Sequence, residues 1–101
     1  MCINGECWEI QIVSPRDPIL LTSTGRYTIG VCDDNYKTIF ISSGLTRQKL
    51  HKVLCHEITH AAMFSYNVNM SIEQEEVMAD LIATFGTEII HKANEVFEKM
   101  T

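Results

Sequence analysis

Apolar residues recur along this chain at two periods, and the change from one to the other falls near Thr46. Before it, Trp8 to Val13 alternates, with Trp8, Ile10 and Ile12 on one face and Glu9 and Gln11 on the other, the period of a strand. Tyr27 to Cys32 and Lys37 to Ser42 are two further β-rich runs. The segment between them, Asp33-Asp34-Asn35-Tyr36, favours a turn, so the pair predicts a hairpin. Ile19 to Ser23 predicts one more short strand, and the prolines of Ser14-Pro15-Arg16-Asp17-Pro18 mark a turn between strands, not a domain boundary.

From Thr46 onward Leu50, Val53, Leu54, Ile58, Ala61 and Ala62 fall three and four apart, and Thr46 is placed to cap a helix. Asn67-Val68-Asn69 interrupts the pattern. A second helix is predicted from Ser71, which can form a reciprocal capping box with Gln74. Its apolar positions Val77, Leu81, Phe85, Ile89, Ala93 and Val96 run almost to the C-terminus, and Gly86 is expected to loosen its middle. Strands first and helices second describe an α+β domain, with a small antiparallel sheet of about three strands packed on two main helices. At 101 residues the chain fits one domain, residues 1–101.

Charge and composition narrow the function classes. The net charge is −5 and the eight Lys and Arg are scattered, so the dense cationic patch that nucleic acid requires is not expected. No apolar run approaches the roughly 18–20 residues of a membrane span, and Met1 to Glu9 lacks the basic start and apolar core of an export signal. A soluble, cytoplasmic protein is the expectation. Cys2, Cys7, Cys32 and Cys55 are then expected to stay reduced.

The residues with the strongest chemical signal are His56-Glu57-Ile58-Thr59-His60, an H-E-x-x-H run inside the first helical pattern. Residues four apart stack on one helix face, so both imidazoles can reach one ion while Glu57 points beside it toward a bound water. Zn2+ accepts neutral imidazole nitrogens, and a catalytic zinc site uses three protein ligands and leaves a fourth position for water. The plain alternative is a buried histidine satisfied by hydrogen bonds beside a surface Glu57. Two imidazoles and a carboxylate in an apolar helix weigh against it, because they are costly to bury with no ion to organise them. A third ligand must come from elsewhere. The metzincin continuation would need Gly at Met63 and His at Tyr66, and both positions disagree. The second helix offers Glu73, Glu75, Glu76 and Asp80. Glu76 and Asp80 are four apart and share a face, which lets one ligate while the other holds a ligand histidine by its second ring nitrogen.

His56-Glu57-x-x-His60 followed by Glu76-x-x-x-Asp80 resembles the gluzincin pattern of thermolysin-like enzymes. The resemblance implies a minimal zincin-like fold, one Zn2+, Glu76 as third ligand and Asp80 as the support of a ligand histidine. Glu75 stands where those enzymes have asparagine, which leaves Glu75 a rival ligand. In its order of elements, over about Tyr27 to Ile90, the chain is similar to ImmA/IrrE-like metallopeptidases of phages and mobile elements and to minigluzincins. Such a likeness implies peptide-bond hydrolysis of a protein or peptide substrate, with Glu57 as general base. A repressor of a phage or mobile element is one target it suggests.

Several residues stand outside that pattern. The large family members carry a later histidine or tyrosine that stabilises the oxyanion. His91 lies 15 residues past Glu76, about 22 Å along an unbroken helix, which is too far without a sharp break at Gly86. That leaves Tyr66, with Tyr27 and Tyr36 behind it, as candidate oxyanion stabiliser. Cys55 reads as a small core hydrophobe and His51 as solvated. Cys2 and Cys7 suggest a thiolate that blocks the zinc, an idea no motif supports. Lys37 to Ser42 is expected to border the cleft and to offer an edge to an extended peptide. Two other classes stay in view: a zinc-stabilised regulatory or interaction module without turnover, and a structural domain with no metal.

Overall fold

The computed structural model describes residues 1–101. It opens with a two-stranded hairpin, β1 (Cys2–Ile3) against β2 (Glu6–Cys7), that sequence periodicity did not predict. Asn4 and Gly5 carry it with φ of 49° and 78°, the paired left-handed conformations that an Asn-Gly turn supplies at least cost. The hairpin register sets Cys2 opposite Cys7 with Cα atoms 4.1 Å apart, and the two form a disulfide. The expectation of four free thiols is corrected here, as is the blocking thiolate. Local turn geometry, on which the reasoning from compartment is silent, joins the pair.

Three strands form the main sheet in the order β3 (Glu9–Val13), β5 (Thr38–Ser42), β4 (Gly30–Asp33). The predicted hairpin is present as antiparallel β4 and β5, with Cys32 opposite Ile39 and Gly30 opposite Ile41. The expectation of a wholly antiparallel sheet is corrected at β3, which runs parallel to β5 with Ile10 beside Ile39 and Ile12 beside Ile41. Parallel neighbours require a long connection. Residues 14–37, which hold β4, provide it, and β5 becomes the central strand. Ile19 to Ser23 is no strand: Pro18–Leu20 makes a 3₁₀ turn capped by Asp17, with one isolated bridge between Leu21 and Tyr27.

Helix α1 (Arg47–Ser65) covers β4 and β5 and is capped by Thr46, whose hydroxyl accepts from the Lys49 N–H at 3.3 Å. Trp8, Ile39, Ile41, Val53 and Ala61 form the core between sheet and helix. The start of the chain is fastened to the end of this helix. Trp8 is buried, its indole N–H donates to Ser65 Oγ at 2.8 Å, and the Asn4 amide donates to the Ser65 carbonyl at 2.9 Å. Asn67, with φ 53°, then ends the helix in the left-handed conformation asparagine tolerates.

Helix α2 (Ile72–Leu81) starts on the predicted capping box, with Ser71 and Gln74 each accepting from the other's backbone N–H. It packs on α1. Where Gly86 was expected to loosen the helix, Ile82–Gly86 forms a π-helical turn. Helix α3 (Thr87–Met100) follows and buries none of its residues. No helix is long and apolar enough to cross a membrane.

Candidate metal centre

The inward face of α1 sets the geometry. Val53, Glu57 and Ala61, spaced four apart, turn into the core. His56 and His60, one residue back from Glu57 and Ala61, emerge at the edge of that core, with 22% and 12% of their side chains exposed. Helix α2 lies across this edge and brings Glu75, Glu76 and Asp80 to the two rings.

His56 Nε2 and His60 Nε2 face one another at 3.2 Å, and the Glu76 carboxylate bridges them at 3.3 and 3.0 Å. Each outer ring nitrogen has its own acid: Asp80 Oδ1 meets His56 Nδ1 at 3.1 Å, and Glu75 Oε1 meets His60 Nδ1 at 2.7 Å. Asp80 and Glu75 can accept from the two Nδ1–H groups, and in that neutral tautomer each Nε2 keeps a lone pair directed inward, toward Glu76. In that form two imidazole lone pairs and a carboxylate converge. One ligand atom from each of His56, His60 and Glu76 lies within 4.8 Å of the other two. With both rings neutral this set could hold a metal ion, and nitrogen and carboxylate donors in this number suit Zn2+. Of the open alternatives for α2, Glu76 stands at the focus. Glu75 stands behind His60 and Asp80 behind His56, while Glu73 lines a separate groove with Met70 and Val77.

Glu57 lies beside the focus, 8% exposed. Burial pushes its carboxyl pKa up, against the opposing pull of His56 and His60, and Glu76 adds to the rise. The backbone of β4 closes over it at Gly30. A Cβ there would stand 2.8 Å from Val53 Cγ1 and 3.1 Å from Glu57 Oε2, so only glycine permits this approach. Sequence reading did not single out Gly30, and a glycine inside a β-rich run was the available signal for a close backbone approach. Cys32, also on β4, shares a small hollow with Glu57, His60, Phe64 and Glu76. Burial first and Glu57 second push its thiol up to about 12.

A cleft of about 340 Å³ opens on the other side of Glu57, lined by Thr28, Ile29 and Gly30, by Lys49, Lys52, Val53 and His56, and by Ala83. A larger hollow, about 650 Å³, lies between Cys55 and the Ile89–Ile90 face of α3, but no acid converges there. Chemistry, not size, marks the site. Tyr66 is not brought to it: the residue caps α1, is 58% exposed and lines neither hollow beside Glu57. Tyr27 and Tyr36 are absent from both as well, and His91 pairs with Glu95 on α3. The strand expected to border the cleft, Lys37 to Ser42, is corrected in turn. As β5 it is hydrogen-bonded on both sides; β3 and β4 are the two edge strands, and β4 is the one beside Glu57.

No protein-family model, no curated protein and no solved structure matches the chain.

Proposed function

We propose that this chain is a zinc-dependent peptidase in which His56, His60 and Glu76 hold one Zn2+ and Glu57 is the general base. The convergence of two imidazole Nε2 atoms on a bridging carboxylate carries the reading, because in their neutral form these three groups offer a cation three ligand atoms from one small focus. When bound, zinc supplies a water of near-neutral pKa and polarises a substrate carbonyl.

The remaining work falls to side chains. Asp80 and Glu75 fix the tautomer and angle of His56 and His60. The backbone of Gly30 closes over Glu57, and burial raises its proton affinity, which suits a base that must also return the proton. It takes a proton from the attacking water and delivers it to the leaving amine. An extended peptide pairs with the free edge of β4, Gly30 to Asp33, and this presents its carbonyl beside Glu57. The substrate is thus a protein or peptide, in keeping with the acidic charge of the chain. A cytoplasmic location belongs to the same reading. In a reducing milieu the Asn4-Gly5 turn and the bonds to Ser65 would hold the hairpin with its cysteines reduced.

One observation favours a second reading, a zinc-binding module of the same fold without turnover: no tyrosine lines the cleft to stabilise an oxyanion. Glu57→Gln separates the two. Zinc-loaded wild type is expected to cleave an unstructured protein substrate, with the variant slower by about 10²-fold or more at equal zinc content. No cleavage by either favours the silent module, and equal rates remove the catalytic claim for Glu57.

A further inference from the structure

We propose that the cleft beside Glu57 selects an extended peptide segment bearing an Asp or Glu side chain, and that Lys49 and Lys52 read it. The inference rests on the peptidase reading for its substrate class but adds a specificity that the metal centre does not imply.

Lys49, Lys52 and His56 follow one another at three and four residues on α1 and line one cleft with Gly30 and Glu57. At 1.5 Å per residue the two lysines stand about 6 and 10 Å from His56 along the helix axis. An extended peptide advances about 3.3 Å per residue, so they meet side chains roughly two and three residues from the metal centre.

Charge singles this end of the site out. The chain carries −5 overall, yet the only carboxylate lining this cleft is that of Glu57, which is buried at its base. The lysines in ion pairs are Lys37 and Lys92; Lys49 and Lys52 have no acidic partner. Lys49 is also placed against its own helix. The first turn of α1 holds Arg47 and Lys49 and no acid, whereas α2 opens with Glu73 and Glu75 and α3 with Glu88, as the helix dipole favours. An anion arriving there relieves a repulsion that the fold leaves uncompensated. Ile29, Val53 and Ala83 give the cleft an apolar wall along which lysine stems can lie, and a low-polarity wall strengthens the attraction.

The opposite end of the site has the reverse character. Asp34 and Glu75 line the hollow past Phe64, and Glu76 lies between the two ends. A second acid on the substrate is repelled there, so the charges set register as well as affinity. Because Thr28 and Ile29 carry the cleft wall on beyond Gly30, the occupant is a side chain within a continuing peptide, not a chain end.

The test uses fluorescent octapeptides, acetylated and amidated, identical except for Glu, Gln or Lys at one position scanned along the sequence. Binding is read by anisotropy on the zinc-loaded full chain carrying Glu57→Gln, which prevents turnover. At the best position the Glu peptide is expected to bind about five- to tenfold more tightly than its Gln twin, as two exposed ion pairs allow. Adding Lys49→Gln and Lys52→Gln should bring the two within twofold, and Lys49→Glu with Lys52→Glu should shift preference to the Lys peptide. That gain guards against a merely misfolded variant. Equal binding of Glu and Gln peptides, a preference that survives loss of both lysines, or no peptide binding at all overturns the proposal. So does a preference obtained only with a free C-terminal carboxylate. Acid-selective binding by a zinc-loaded wild type that releases no product would end the peptidase reading and leave this one standing. Cleavage without acid preference does the opposite.

Discussion

Glu75 reaches Nδ1 of His60 at 2.7 Å, the shortest polar contact at the candidate metal centre, and so turns the other ring nitrogen toward Glu76. Glu75 is thereby placed behind His60 and not at the focus. Glu75→Ala is expected to weaken zinc binding by about 10- to 100-fold, and Asp80→Ala to act in the same direction through His56. Glu75→Gln keeps an acceptor and should lose less. Competition against a chromophoric chelator measures all three, and wild-type affinity in Glu75→Ala would show that His60 needs no such support.

Gly30 makes a sharper prediction about stability. A methyl at this position meets buried Val53 at 2.8 Å, and a β-branched side chain has few rotamers with which to yield. Gly30→Ala should cost about 1–3 kcal/mol by overpacking, read by denaturant unfolding. It should also displace Glu57, so peptide cleavage falls further than zinc binding. An unchanged midpoint would mean that β4 moves aside freely.

Trp8 and Ser65 tie the first residues to the end of α1 through a buried hydrogen bond. Trp8→Phe keeps most of the apolar ring but orphans the buried Ser65 hydroxyl. A loss of about 1–3 kcal/mol is expected. Ser65→Ala in the same background should recover part of it, because no acceptor is then left unpaired. A double-mutant cycle with coupling near zero would contradict the assignment.

Cys32 gives a prediction in pH. Its thiol, raised from 9.0 to about 12 by burial and by Glu57, holds its proton more tightly folded than unfolded. The stability this contributes is complete below pH 9 and is lost as pH climbs toward 12. Unfolding midpoints of wild type should therefore fall more steeply over that window than those of Cys32→Ala. Iodoacetamide at pH 8 should leave Cys32 unmodified in the folded, metal-free chain, since the thiolate is the reacting form. Parallel slopes and rapid alkylation would refute the shift.

Much of this arrangement is legible in local sequence. Thr46 and the Ser71-Gln74 pair announce both helix starts, and four-residue spacing puts His56 and His60 on one face and Glu76 and Asp80 on another. Asp33 to Tyr36 announces the β4–β5 turn. Periodicity does not say which strand lies next to which, so the parallel neighbour of β5 and its central place are invisible in the pattern of Trp8 to Val13. The division of labour between Glu75 and Glu76 is one residue, about 100° of helix rotation, and only the packed position of α2 decides it. For the N-terminal hairpin the signal existed: Asn4-Gly5 is a turn pair, and the two-residue strands beside it are too short for alternation to register. Tyr66 failed for a different reason. Residue type alone suggests it, and nothing in the local sequence pattern places its ring.

The most direct test of the metal centre is diffraction from zinc-soaked crystals at the zinc absorption edge. The account predicts a single anomalous peak about 2.0–2.2 Å from His56 Nε2, His60 Nε2 and a Glu76 oxygen. A map with no peak among these three side chains, at saturating zinc and neutral pH, would contradict it.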